Sequence, residues 1–140
     1  MKLIRIEHIG IVVRNLDETI KLYKDTFGLK LDAVENLEKH KVKIALFPVG
    51  GSLIELIEDQ DPHGDYSKFI SEKGEGIHHI CFQVEGIAKT LAELKNVGIR
   101  LLNEEPILGH QNSKIAFLDP SGTHNVLIEL CEKAETKGGR

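Results

Sequence analysis

The sequence predicts an α+β fold made of two βαβββ modules in one chain, and three observations support this prediction. Residues 6–13 (IEHIGIVV) and 77–84 (IHHICFQV) each place a His-Ile pair within an alternating strand pattern. The tetrapeptide Leu-Ile-Glu-Leu occurs at 53–56 and again at 127–130. The interval from histidine to glutamate is nearly the same in both halves, which indicates an internal duplication.

An amphipathic helix is predicted after each first strand. Asn15 stands three positions before Glu18, a capping-box pattern that favours a helix start. The apolar face of this helix is a stripe of four side chains, Leu16, Ile20, Tyr23 and Phe27. The equivalent stripe in the second half comprises Ile87, Leu91 and Leu94. Gly28 and Gly98 stand where helix C-termini favour glycine.

Three strand-like runs follow each predicted helix. In the first half they cover roughly 29–36, 41–49 and 52–58, and the last two are joined by the hairpin signal Gly50-Gly51. In the second half they cover roughly 99–105, 113–118 and 125–131. The turn Asp119-Pro120-Ser121-Gly122 separates the last two runs, with proline and glycine at positions typical of a type I turn.

We therefore expect a single domain over residues 1–140. Its parts are a first module over about 3–59, a connector over 60–74, a second module over about 75–132 and a frayed tail over 133–140. The connector contains Pro62 and Gly64, and a short helical stretch through Phe69 and Ile70 is predicted after them.

The composition excludes several classes of function. The net charge of −4 gives no electrostatic footprint for a nucleic acid or an anionic membrane surface. No apolar run approaches the roughly 20 residues of a membrane span, and the N-terminal stretch is interrupted by charge, unlike a signal peptide. Two cysteines are too few for a disulfide framework, so we expect a reduced, cytoplasmic protein.

Four polar side chains on the predicted strands are candidate site residues. Strand alternation places His8, Glu55, His79 and Glu129 on the side opposite the helix-packing face. A polar side chain within an apolar strand needs a partner, because burying it unpaired costs roughly 1–3 kcal/mol. If the first and last strands of each module are neighbours, His8 meets Glu55 and His79 meets Glu129.

Two modules that face each other would bring two imidazoles and two carboxylates together. This donor set suits a divalent first-row metal and leaves open positions, which a catalytic metal needs. Alternatively, each His–Glu pair is an ordinary cross-strand hydrogen-bonded pair. The presence of both pairs at equivalent positions favours the metal site.

The other histidines and the cysteines are weaker candidates. His78 adjoins His79 but has the opposite strand parity, so we expect it to stand outside the site. Four histidines fall in loop-like or turn-like stretches and are predicted to be solvated, His40, His63, His110 and His124. Cys81 and Cys131 share the parity of the candidate ligands, and we interpret them as two small buried thiols.

These paired modules resemble the vicinal oxygen chelate superfamily, which includes the glyoxalase and bleomycin-resistance families. The resemblance covers about residues 3–132, and within the superfamily the sequence is most similar to the methylmalonyl-CoA epimerase family. The most specific match is Gly-Glu-Gly-Ile-His-His at 74–79, and His8-Ile9-Gly10-Ile11 and Ile54-Glu55-Leu56 also match.

The resemblance implies curved mixed sheets that form a cleft with the helices outside. It also implies a divalent metal (Co, Ni, Mn or Zn) bound by His8, Glu55, His79 and Glu129. The implied activity is epimerisation at the carbon α to a thioester carbonyl through an enolate, with Glu129 as proton acceptor and Glu55 as the second candidate. An ungapped comparison puts Lys43 where some epimerases have a further acid/base carboxylate.

Two other functions remain open at the level of the sequence. Glyoxalase I enzymes have a similar His-Glu-His-Glu set, so isomerisation of a thiol adduct is the first alternative. A metal-free protein that sequesters a ligand, as bleomycin-resistance proteins do, is the second. In either enzyme the partner would be a small acyl-CoA or thiol-adduct substrate, not a nucleic acid or a membrane. We expect a homodimer, since open sheets leave exposed edges.

Overall fold

Strands and helices follow one another in the order that the two-module prediction requires. The computed structural model describes residues 1–135. Its strands are β1 (Leu3–Val12), β2 (Ala33–Leu37), β3 (Val42–Val49), β4 (Ser52–Asp59), β5 (Gly76–Val84), β6 (Ile107–Leu108), β7 (Lys114–Leu118) and β8 (Ile128–Glu132). The helices are α1 (Leu16–Lys21), which continues as a π-helical turn (Leu22–Thr26), α2 (Asp65–Lys73) and α3 (Ile87–Asn96). Short 3₁₀ segments cover His110–Asn112 and Pro120–Gly122. The predicted α+β class with two βαβββ modules is confirmed.

The described residues form two compact units. His8–His79 make up one, called here the N-unit, and Met1–Glu7 together with the residues from Ile80 onward make up the other, called the C-unit. The sheet order is β2-β3-β4-β1 in the N-unit and β5-β8-β7-β6 in the C-unit. In both units the first strand of the module pairs in parallel with the last, and the remaining pairs are antiparallel.

Helices cover both faces of the N-unit sheet. On one face Leu16 of α1 packs against four buried strand and turn residues, Val13, Ala45, Phe47 and Leu56. On the other face three residues of α2 pack on a second cluster, Val12, Val42, Ile44, Leu46 and Ile57. Burying each large side chain contributes about 1.5–3 kcal/mol. The α2 segment, predicted as a connector, is therefore a packed layer, and its contacting residues are Tyr66, Phe69 and Ile70.

The end of β4 anchors the start of α2. Asp59 Oδ2 accepts hydrogen bonds from the backbone N–H groups of Tyr66 and Ser67, both at 3.0 Å, and its Oδ1 accepts one from Asp61. The bonds from Tyr66 and Ser67 satisfy N–H donors that the first turn of a helix leaves without a helical partner. A Cβ on Gly64 would overlap the Asp59 carboxylate, so this anchor requires glycine there.

In the C-unit, α3 lies against β5, β7 and β8. The predicted stripe of α3 is confirmed, because Ile87, Leu91 and Leu94 are buried in one apolar cluster with Val84 and Leu130. The predicted turn before β8 is a 3₁₀ segment in which Asp119 accepts a hydrogen bond from the Ser121 N–H. That bond lowers the pKa of the Asp119 carboxyl.

The strand predicted over 99–105 is wrong. Only an isolated bridge between Leu101 and Leu118 forms in this segment. Two main-chain hydrogen bonds flank this bridge, from Leu102 N–H to the Phe117 carbonyl and from Asp119 N–H to the Arg100 carbonyl. Beyond them the Asn103 side chain makes the contacts with β7, because its Oδ1 accepts from Phe117 N–H at 2.7 Å and its Nδ2 donates to the Ile115 carbonyl at 3.4 Å. A side chain that bonds a neighbouring strand lets the backbone leave the extended path.

The first helix also differs from its predicted stripe. Asn15 caps it as predicted, with Oδ1 accepting from the Glu18 N–H. After Lys21 the helix widens into a π turn, in which Phe27 N–H donates to the Leu22 carbonyl at 3.0 Å. The wider turn rotates later residues away from the 3.6-residue period, and Phe27 is 57% exposed in place of its predicted apolar contact with the sheet.

Two further predictions concern the tail and membranes. Residues 133–135 follow β8 without regular secondary structure, and the rest of the predicted tail lies outside the described residues. Among residues 1–135, no helix has both the length and the apolar character that spanning a bilayer requires.

Candidate metal site

The imidazoles of His8 and His79, both in the N-unit, lie against each other. Nε2 of His8 on β1 and Nε2 of His79 on β5 are 3.0 Å apart, and the exposed fractions are only 9% and 4%. Two nitrogens bound at about 2.1 Å from one ion at a right angle would be about 3.0 Å apart. The pair therefore fits two neighbouring positions in the coordination shell of one divalent metal.

Glu55 lies beside the same pair. Its Oε1 is 4.0 Å from His79 Nε2, and its side chain is 19% exposed. His8 pairs with Leu53 and Glu55 pairs with Gly10, so the two side chains lie on the same face of the sheet with an offset of two residues. The two-residue offset brings the Glu55 carboxylate near His79.

Gly10 leaves the space that the His79 ring fills. A Cβ built on Gly10 would overlap three ring atoms of His79, Cε1, Nδ1 and Nε2. Any side chain at this position would displace the imidazole from its place over β1. The sequence showed Gly10 within the first strand and within the matching stretch His8-Ile9-Gly10-Ile11, and neither observation marked the close approach.

His78 contacts the site from the side of α2. Its Nδ1 is 2.9 Å from Nδ1 of His79, so the prediction that His78 stands outside the site is wrong in this respect. Its ring lies edge-on to Tyr66 and Phe69, with centroids 4.9 and 5.0 Å away. Strand parity describes where Cβ atoms point, and it missed this contact because the Nδ1 atoms of adjacent imidazoles can still meet.

The start of β5 is tied to the end of β1. Glu75, within the Gly-Glu-Gly-Ile-His-His stretch, accepts a hydrogen bond from the Arg14 N–H at 2.8 Å, and its other oxygen is 3.7 Å from the Arg14 guanidinium. α2 ends at Gly74, whose N–H donates to the Ile70 carbonyl. These bonds fix the strand segment that positions His78 and His79.

Lys43 belongs to the other face of the N-unit sheet. On β3, Val42, Ile44 and Leu46 pack toward α2, and alternation places Lys43 with Ala45 and Phe47 on the α1 side. His8, Gly10 and Val12 share the α2 side. The ungapped placement of Lys43 at an acid/base position is thus not supported by the strand geometry.

Glu129 is a buried carboxylate of the C-unit. It lies on β8 opposite Cys81 and is 6% exposed. Cys81 and Cys131 are buried and form no disulfide, in agreement with their interpretation as two small buried thiols. The hydrogen bond with Cys131 raises the pKa of Cys81 far above its usual range, and burial and the nearby Glu129 charge act in the same direction. The Cys81 thiol is therefore protonated and unreactive at neutral pH.

The four histidines predicted to be solvated are exposed, namely His40, His63, His110 and His124. The structure thus brings His8, Glu55 and His79 together within the N-unit and adds Gly10 and His78, which the sequence did not identify. Two imidazoles and a carboxylate at such distances are ligands that a divalent first-row metal accepts.

The family follows from the similarity of this chain to known proteins. The family model described as the Glyoxalase/Bleomycin resistance protein/Dioxygenase superfamily matches residues 7–117. The chain belongs to this superfamily. Several proteins that are similar to this chain are named as epimerases. The ethylmalonyl-CoA/methylmalonyl-CoA epimerase of Cereibacter sphaeroides is 30% identical, with 90% of this chain and 96% of that protein covered.

Other relatives have different names. The uncharacterized protein YqjC of Bacillus subtilis is 35% identical, with 91% of each chain covered. A lactoylglutathione lyase of Schizosaccharomyces pombe is 29% identical over 98% of this chain, which spans only half of that protein.

Solved structures of similar proteins show the same fold. A hypothetical protein from Bacillus halodurans has a TM-score of 0.91 and 38% identity, with 96% of this chain and 98% of that chain covered. A variant of Streptomyces coelicolor methylmalonyl-CoA epimerase in complex with 2-nitronate-propionyl-CoA has a TM-score of 0.88 and 33% identity, with 99% and 100% covered. The vicinal oxygen chelate fold expected from the sequence is confirmed.

Proposed function

We propose that this protein is a metal-dependent epimerase that inverts the carbon α to the thioester carbonyl of methylmalonyl-CoA. The observation that supports this most directly is the buried His8–His79 pair, whose Nε2 atoms are 3.0 Å apart with Glu55 alongside. The similarity to acyl-CoA epimerases over nearly the whole chain favours this substrate class.

The proposed ligands are His8, Glu55, His79 and Glu129. The N-unit geometry supports the first three, and Glu129 is proposed from its equivalent place in the second module and its burial. Cobalt, nickel, manganese and zinc all suit this donor set. A divalent metal bound there would supply Lewis-acid stabilisation of negative charge on a substrate oxygen.

The protein's own task is to move a proton. A carboxylate accepts the proton from the α carbon, the C–H electron pair moves into the enolate, and a proton then returns to the opposite face. Inversion thus needs two groups, or one group and a water molecule. We propose Glu129 as the acceptor and Glu55 as the partner on the opposite face. The Glu55 carboxylate lies 4.0 Å from Nε2 of the buried His79, which places it beside the proposed metal position.

A glyoxalase I-type isomerisation is the second candidate. The similarity to a lactoylglutathione lyase favours it, and the same donor set would serve it. Both reactions begin by removing a proton next to a carbonyl, so the site geometry suits either. A metal-free ligand-sequestering protein, the third possibility from the sequence, would have no need of a buried imidazole pair beside a carboxylate.

Two assays separate the candidates. Protein purified without chelator is incubated with methylmalonyl-CoA in deuterium oxide, and we expect one α deuterium per substrate, measured by mass spectrometry. In parallel, consumption of the hemithioacetal of methylglyoxal and glutathione is followed by absorbance. Hemithioacetal loss without deuterium uptake would replace the epimerase assignment with the glyoxalase assignment. The absence of both signals would contradict both assignments. The single-domain organisation, the homodimer and the cytoplasmic location remain predictions.

A further inference from the structure

The neighbour of the candidate ligand His79 contacts its second ring nitrogen. His79 places Nε2 toward His8 and Glu55, and Nδ1 lies 2.9 Å from Nδ1 of His78. Within the N-unit, His79 is thus engaged at both nitrogens. Which nitrogen holds the ring hydrogen decides whether Nε2 can offer a lone pair.

We propose that His78 is a positioning residue that accepts a hydrogen bond from Nδ1–H of His79 and so keeps the Nε2 lone pair of His79 available. This inference rests on the proposed function in one respect, since it takes Nε2 as the atom that binds the metal. A neutral imidazole has one N–H, so a lone pair at Nε2 requires the hydrogen at Nδ1. His78 Nδ1 must then be the acceptor, and its own hydrogen lies at Nε2.

The surroundings of His78 hold its ring in the orientation that this bond needs. Tyr66 and Phe69 of α2 contact the ring at interplanar angles of 63° and 67°, both edge-to-face. Aromatic pairs in this geometry contribute about 0.5–1.5 kcal/mol beyond their burial. α2 in turn is fixed by the two hydrogen bonds that the Asp59 carboxylate accepts from its first turn. The chain of contacts therefore runs from β4 through α2 to the His79 ring.

The position of the His79 ring hydrogen also determines which nitrogen of His8 carries its hydrogen. With the hydrogen of His79 at Nδ1, the 3.0 Å contact between the two Nε2 atoms requires His8 to donate in the metal-free protein. Metal-binding histidines usually donate their other N–H to a carboxylate, a carbonyl or water, and loss of such a partner typically weakens metal binding 10- to 100-fold. In this protein the imidazole of His78 is the acceptor for the second N–H of His79.

Nitrogen NMR of the metal-free protein tests the tautomer directly. Long-range ¹H–¹⁵N correlation spectra of histidine-labelled protein are recorded in alkaline buffer, where free imidazole is neutral. In the wild type we expect the hydrogen of His79 at Nδ1. A wild-type spectrum with that hydrogen at Nε2 would overturn the inference without any variant.

Three variants separate the hydrogen bond from packing. His78→Phe keeps a ring between Tyr66 and Phe69 but removes the acceptor, and His78→Asn restores an acceptor oxygen close to the position of Nδ1. His40→Phe, at an exposed turn, is the control. In His78→Phe we expect the His79 hydrogen to shift toward Nε2 and the Kd for Co²⁺, titrated by its visible absorption, to rise about 10- to 100-fold. His78→Asn should recover most of this affinity.

The outcomes distinguish this inference from the proposed function. If His78→Phe has the wild-type tautomer and cobalt affinity, His78 has no positioning role. If His78→Phe does not fold, the wild-type spectrum and the cobalt titration of His78→Asn still test the positioning role of His78. A wild-type protein that binds no Co²⁺ contradicts the proposed metal site, whereas the tautomer in metal-free protein continues to test the role of His78.

Discussion

At the scale of single residues, the missing side chain of Gly10 determines where an imidazole can lie. The His79 ring occupies the space that a Cβ at position 10 would need, and Glu55 pairs with Gly10 across β1 and β4. One methyl group at this position would therefore displace the His79 imidazole, a candidate ligand that lies beside Glu55.

We expect Gly10→Ala to fold and to lose most of its affinity for Co²⁺, because the added methyl displaces His79. The measurement is a titration of the metal-free protein, with circular dichroism to confirm the fold. Gly76→Ala is a matched control, since a Cβ at Gly76 meets nothing within 4 Å. Wild-type affinity in Gly10→Ala would show that His79 is not a ligand in its present position.

The buried carboxylate of Glu129 is the residue on which turnover is proposed to depend. Glu129→Gln retains the size of the side chain but removes its basicity, so we expect turnover of methylmalonyl-CoA to fall by about 10²–10⁴-fold while the fold is kept. Glu105→Gln, at an exposed position, controls for loss of one negative charge. Near-wild-type deuterium exchange in Glu129→Gln would remove Glu129 from the mechanism.

The sequence identified the candidate ligands because the two halves repeat them. His8 and His79, and likewise Glu55 and Glu129, were selected by comparison of equivalent positions. Gly10 and His78 could not be selected in this way, since their importance depends on the approach of β5 to β1 and of α2 to β5 within the N-unit. Such tertiary contacts leave no periodic signal in the chain.

At the scale of elements, α2 has more influence on the site than its prediction as a connector suggested. It covers the sheet face that also holds His8 and Glu55, and it supplies the two rings that contact His78. Its position depends on one carboxylate at the end of β4. A change at Asp59 should therefore reach the site through the helix.

Replacing Asp59 with alanine removes two hydrogen bonds from backbone N–H groups in the first turn of α2 and one from the Asp61 N–H before it. We expect the free energy of unfolding to fall by about 1–2 kcal/mol and amide exchange in α2 to accelerate. Urea denaturation and hydrogen exchange measure the two effects. Asp65→Ala removes a charge from the same helix end, where a carboxylate contributes about 0.3–1 kcal/mol. Equal losses in the two variants would mean that charge, not hydrogen bonding, anchors α2.

The prediction of strands and helices was wrong at two places, where irregular hydrogen bonds interrupt the regular pattern of the element. In the second half, residues 99–105 form one isolated bridge, and from Asn103 onward a side-chain amide makes the bonds to β7. The predicted apolar stripe of α1 does not extend to Phe27, because a π turn after Lys21 changes the helical period. In contrast, the strands at 41–49 and 52–58 and the α3 stripe were predicted closely, since long apolar patterns with clear turn residues determine them.

At the scale of the whole molecule, the duplication is visible in the strand register. Glu55 pairs with Gly10 in the N-unit, and Glu129 pairs with Cys81 in the C-unit. In each module the glutamate thus lies opposite the residue two positions after its histidine. This shared offset supports the interpretation of the chain as a repeated module with equivalent ligand positions.

A ligand that binds only the folded chain raises its stability by mass action. We expect Co²⁺ at 100 times its Kd to add about 2.7 kcal/mol to the free energy of unfolding, and a chelator to remove this gain. Thermal unfolding with and without metal measures it. His8→Ala should abolish the increase and His124→Ala, at an exposed turn, should retain it. An increase that survives in His8→Ala would place the metal elsewhere.

The aromatic contact between Tyr66 and His78 also has an optical consequence. The chain has no tryptophan and only two tyrosines, and Tyr23 packs with Phe47 on the α1 side of the sheet while Tyr66 borders His78. Phenol fluorescence is therefore not masked by indole emission, and one of its two sources lies beside the imidazoles. The protein thus contains a native reporter of events at these histidines, and substitution of Tyr23 by phenylalanine would isolate its signal.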